Sequence, residues 1–94
     1  MLDSNKILSF IYKTIKSILN DNSLILKSDD KLVNDLGMQS IDFADLLNQT
    51  ELNLNIELPD SSKELFGKEY KEMTFDDYFK FVNKIYKEKY ENKN

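Results

Sequence analysis

Apolar residues at Ile7, Leu8, Ile11, Ile15, Ile18 and Leu19 follow one another at three- and four-residue steps, the spacing of one face of an α-helix. With Asp3 or Ser4 as N-cap and the polar cluster Asn20-Asp21-Asn22 as a stop, the pattern predicts a first helix over residues 4–20. Residues 23–39 have no sustained period. Their apolar residues, Leu24, Leu26, Leu32, Val33 and Leu36, predict a long ordered loop pinned to the core. Gly37 can take a positive φ without strain, and Ser40 is the expected N-cap of a second helix over 41–54. On that helix Ile41, Ala44, Leu47 and Leu54 are expected on the buried side with Leu46 beside them, and Asp42, Asp45, Gln49 and Asn53 on the opposite side.

Ser61 to Glu64 forms a capping box ahead of Leu65 and Phe66, with Gly67 placed to stop a short third helix over 61–66. A second capping box, Thr74 to Asp77, opens a fourth helix over 74–90, whose stripe runs through Phe75, Tyr78, Phe79, Val82, Ile85 and Tyr86. Lys84, Lys87 and Lys89 near its end suit the negative pole of the helix. The expected architecture is an all-α bundle of four helices, residues 1–94 forming one domain, with Ile15, Leu47, Leu54 and Val82 in its core.

Composition narrows the chemistry. At 94 residues the chain has material for only a small core, which favours a module with one working surface over a walled catalytic cleft. It has no His and no Cys, so the commonest general base, the usual zinc ligands and any thiol nucleophile are missing. An enzyme is the weakest expectation. Net charge is −4, and between Asn34 and Asp60 the acids Asp35, Asp42, Asp45, Glu51, Glu57 and Asp60 stand without a single Lys. All 13 basic residues are Lys, and a chain without Arg lacks the bidentate fork that phosphate and guanine recognition favours, so nucleic acid is not an expected partner. No apolar run reaches membrane-spanning length and no signal-peptide pattern opens the chain, so a soluble, cytoplasmic monomer without membrane insertion is expected.

The run Asp35-Leu36-Gly37-Met38-Gln39-Ser40-Ile41-Asp42, then an acidic helix and Ile56-Glu57-Leu58-Pro59-Asp60, resembles the acyl carrier protein family, whose members share a D-L-G-x-x-S-[LIM] motif and an [IV]-x-[ILV]-P-[DE] element after the second helix. The resemblance spans the chain from first helix to last and is tightest from Leu32 to Asp60. It implies an acyl-carrier-type four-helix bundle with Ser40 as the attachment point of a covalent 4'-phosphopantetheine arm, Asp35, Leu36 and Gly37 setting the turn before it, and Ile41 in the place usually held by Leu. It also implies a phosphopantetheinyl transferase as partner, together with enzymes that load and process acyl or aminoacyl thioesters. Asp42, Asp45 and Glu51 occupy positions where carriers present acids to basic patches on those enzymes.

Three positions depart from the housekeeping pattern: Gln39 replaces the usual Asp, Leu52 stands where Glu is frequent, and the stretch from Asp60 to Thr74 is longer than the common form. The departures imply a carrier dedicated to a specialised pathway, with Leu52 joining the docking surface; a divergent fatty-acid-synthesis carrier and an unmodified carrier-like adapter are the alternatives. Two plainer readings stand beside these. A Ser ahead of a helix is more often an N-cap than a modification site, and an acidic helix face is more often a solvated surface than a docking site.

Overall fold

The computed structural model describes residues 2–58 and 70–91. Three α-helices carry the fold: α1 (Ser4–Ile18), α2 (Ser40–Leu54) and α3 (Phe75–Tyr90), with a 3-10 turn at Tyr70–Glu72. Among the described residues there is no strand, only an isolated antiparallel bridge between Lys31 and Thr74. The all-α class agrees with the periodicity. The short helix expected over 61–66 lies outside the described residues.

α1 begins where its cap dictates: Asp3 is the N-cap, and its carboxylate accepts the Lys6 amide at 2.9 Å. It ends two residues earlier than expected, at Ile18, and Asn20 follows in the left-handed region that Asn tolerates better than most residues. Ile7, Ile11 and Ile15 are its fully buried stripe. α3 begins at the second capping box, in which Thr74 Oγ1 accepts the Asp77 amide at 3.0 Å and the Asp77 carboxylate accepts the Thr74 amide at 3.1 Å. Phe75, Tyr78, Val82 and Tyr86 are buried, while Phe79 and Ile85 flank them half-buried.

The face of α2 differs from the expectation. Phe43, Leu46, Thr50 and Leu54 are its buried residues and Leu47 is half-buried beside them, whereas Ile41 is 74% exposed and Ala44 is also exposed. Hydrophobicity alone could not phase this helix, because apolar side chains occur all round it and one core position is held by a polar residue. Thr50 is buried because its hydroxyl donates to the Leu46 carbonyl at 2.7 Å and lies 2.7 Å from Tyr78 Oη on α3. With the threonine proton committed to that carbonyl, the Tyr78 hydroxyl is the donor of the second bond. Both polar groups are satisfied, which removes the desolvation cost that would otherwise keep a Thr out of the core.

The loop from 19 to 39 is as ordered as its leucines predict. Leu26 and Leu32 are buried and join the core cluster built from all three helices. Backbone bonds finish the attachment: the Leu32 amide donates to the Met73 carbonyl, and the first amides of α3, at Phe75 and Asp76, donate to the carbonyls of Asp30 and Ser28. Loop carbonyls thus satisfy amides that a helix start leaves without partners. Tyr12 on α1 holds the middle of the loop, its hydroxyl donating to the Leu24 carbonyl and accepting from the Leu26 amide.

Candidate functional site

The path into Ser40 is fixed residue by residue. The Lys31 amide donates to the Asp35 carboxylate at 2.8 Å, and the Asp35 and Leu36 amides donate back to the Lys31 carbonyl, so Asp35 closes a compact turn. The turn continues as the Gly37 amide bonds the Val33 carbonyl at 2.9 Å. Gly37 has φ +74°, where an L side chain is strained, and that is the physical need for glycine in this motif. Leu36 is half-buried against the core. Met38, only 2% exposed, then drives into the core while its amide bonds the Leu32 carbonyl at 3.0 Å. No sequence expectation had assigned Met38 a role; an apolar residue between a turn glycine and a helix start was its only signal.

Ser40 is the first residue of α2, not its cap. The N-cap is Gln39, with extended backbone, and the Asp42 carboxylate accepts the Gln39 amide at 2.9 Å. This corrects the expected helix start by one residue. The reason lies in the N3 position: Asp42 stands three residues after Gln39 and can reach back to its amide, as in a capping box. The Ser40 side chain is exposed, and among the described residues its hydroxyl makes no hydrogen bond. Ile41 beside it is turned to solvent, which corrects its placement on the core side.

The acids of α2 divide into different tasks. Asp45 is exposed on the outward face. Asp42 is half-buried and serves as the cap partner, so it does not simply point to solvent. Glu51, also half-buried, accepts the Leu58 amide through Oε2 at 2.8 Å and so ties the exit segment, with buried Ile56 and Leu58, back onto the helix. Leu52 is 77% exposed. Ile41, Asp45, Asn48 and Leu52 lie at steps of four, three and four residues and are all exposed, so the outward stripe of α2 is apolar at both ends and acidic or amidic between. Asp45 also borders a shallow groove against α1, facing Lys13 and Thr14.

The C-terminal end of α2 is closed by its neighbour. Asn55 adopts the left-handed conformation as C-cap, and its carbonyl accepts from Lys89 Nζ and, at 2.9 Å, from Tyr90 Oη on α3. A lysine at this pole complements the helix dipole. At the core between α2 and α3, burial pushes the Tyr78 phenol well above its usual pKa of 10.0, the Thr50 hydrogen bond opposes that rise, and the Glu51 charge adds to it. Tyr78 is therefore a neutral structural group. Among the described residues no cluster of His, Cys, Asp or Glu could hold a metal ion, and no helix is long and apolar enough to cross a membrane. No family model, curated protein or solved structure matches this chain, and the reading of Ser40 rests on its own surroundings.

Proposed function

We propose that this chain is an acyl-carrier-type protein that holds acyl or aminoacyl thioesters on a 4'-phosphopantetheine arm joined to Ser40 and presents them to partner enzymes of a specialised pathway. The observation that carries this reading is the exposed Ser40 hydroxyl, released from the capping role by Gln39 and Asp42. The plainer explanation of a serine at this place, that it caps α2, is thereby withdrawn. What stays is an exposed serine behind a turn built from Asp35, Leu36 and Gly37.

The surroundings fit such an arm. Its phosphodiester would lie at the positive pole of a 15-residue helix, where the first amides have no intrahelical partners. The arm supplies the thiol that a chain without Cys lacks. Ser40 has no base of its own to activate it, so the transferase removes the serine proton. The serine oxygen forms a bond to the β-phosphorus of coenzyme A, the pyrophosphate bond breaks, and adenosine 3',5'-bisphosphate leaves. This chain contributes orientation: Met38 and Phe43 anchor either side of Ser40 in the core. A four-helix carrier bundle, including the short helix at 61–66, is part of the same proposal.

For docking, the outward stripe of Ile41, Asp45 and Leu52 is the surface we assign to partners. Intact mass after incubation with coenzyme A and a broad-specificity transferase tests the proposal. Addition of one phosphopantetheine to wild type and none to Ser40→Ala is expected. No addition to wild type, with partner binding unchanged in Ser40→Ala, identifies an unmodified adapter instead.

A further inference from the structure

We infer that Asp42 is a positioning residue for arm transfer to Ser40, acting through the Gln39 backbone and not as a docking charge; the inference rests on the carrier reading above. The residue just before Ser40 is held at both ends: the Gln39 amide donates to Asp42 Oδ2 at 2.9 Å, and the Gln39 carbonyl accepts the Phe43 amide at 3.0 Å. Phe43 is buried and so is Met38, so the backbone enters and leaves the Ser40 turn through two core anchors. Between those anchors the Asp42 carboxylate holds the Gln39 amide, and Asp42 is half-buried where Asp45, one turn on, is exposed.

Position and steering make different demands on the same residue. A docking acid needs its charge and loses its effect in salt, because exposed charges act over a screening length. A cap partner needs an oxygen that accepts from the Gln39 amide, whether charged or not. If Asp42 holds the turn, its loss frays the first turn of α2 and leaves Ser40 correctly placed for only part of the time. Transfer then slows by that fraction, at any ionic strength. Asp45, with no cap to serve, is the internal control.

The test measures the second-order rate of phosphopantetheine addition, with coenzyme A and a broad-specificity transferase, at low and raised salt for wild type, Asp42→Asn, Asp42→Ala, Asp45→Asn and Asp45→Ala. Asp42→Ala is expected to be roughly three- to tenfold slower at both salts, and Asp42→Asn to stay within about twofold of wild type because Asn Oδ1 still accepts. Both Asp45 variants are expected to be slower only at low salt. Amide exchange at Gln39 in the unmodified proteins gives a second readout, with protection in wild type and Asp42→Asn that is lost in Asp42→Ala. An Asp42→Asn rate as low as that of Asp42→Ala, with the deficit vanishing in salt, overturns the inference, and so does an unprotected Gln39 amide in wild type. The Asn variant keeps the comparison decisive even if the Ala variant fails to fold. Wild type that loads normally while Asp42→Asn does not sinks only the role of Asp42; wild type that takes no arm sinks the carrier reading and that role together.

Discussion

Ser40 and Thr50 are two hydroxyls on the same helix with opposite fates, and the difference sets two predictions. Ser40 stands exposed at the first residue of α2 with its helix already capped, so Ser40→Ala should leave the unfolding free energy within about 0.5 kcal/mol of wild type while abolishing arm addition. Denaturant unfolding and intact mass read the two effects separately. Thr50 is buried and receives the Tyr78 hydroxyl, so Thr50→Val removes that bond from the core and should cost about 1 to 3 kcal/mol. Tyr78 adds a pH signature. Its folded-state pKa is raised above the unfolded value of 10.0, so the neutral phenol's contribution is fully present below about pH 10 and is lost as pH rises further, where the unfolded chain sheds the proton first. Alkaline unfolding of Tyr78→Phe should show a shallower loss above pH 10; the same slope as wild type would remove Tyr78 as the cause.

At the scale of the element, α2 shows how one helix serves a core and an exposed surface at once. Leu46 is fully buried and Leu47 only half-buried, although they are neighbours of the same type. Leu46→Ala should therefore cost about 2 to 4 kcal/mol and Leu47→Ala clearly less, a ranking that urea unfolding of the two variants checks. Leu52 is on the outward stripe, and Leu52→Glu should leave stability within about 0.5 kcal/mol. Its effect should fall on recognition: a dedicated pathway enzyme should bind the variant worse, and a housekeeping fatty-acid enzyme equally well or better. Equal loss with both kinds of partner would remove the case for specialisation.

At the scale of the molecule, the first two helices sort their charges by sign. α1 carries Lys6, Lys13 and Lys16 and no acid, α2 carries Asp42, Asp45 and Glu51 and no base, and the two helices pack side by side. The acidic helix is thus flanked by a basic one that reduces its field, and two of its three acids are occupied by backbone amides. Of the three acids Asp45 alone is exposed and free of a backbone task, so under the proposed function it is the one whose charge can be changed without loosening the helix ends. Asp45→Lys should lower the association rate with the transferase and flatten its salt dependence while circular dichroism stays unchanged. A rate insensitive to Asp45→Lys at low salt would show that docking relies on the apolar residues of the stripe.

The sequence by itself determined the helices that have both a cap and a clean stripe. Asp3 before Ile7, Ile11 and Ile15, and Thr74 with Asp77 before Tyr78, Val82 and Tyr86, are local signals, since a cap bond and an i, i+4 contact need only the helix that makes them. The positive φ at Gly37 was legible for the same reason, because it is a local property of glycine, whereas the turn role of Asp35 was expected only from the family resemblance and its bond to the Lys31 amide came from the structure. Which face of α2 is buried was decided only by tertiary structure. Phe43, Leu46 and Leu54 compete with Ile41 and Leu52 for the core on equal hydrophobic terms, and the choice falls to the partner helix, where the Tyr78 hydroxyl makes burial of Thr50 tolerable. The same holds for the tasks of Asp42 and Glu51: charge is written in the sequence, but whether a carboxylate faces a partner or a backbone amide depends on where the folded chain brings that amide.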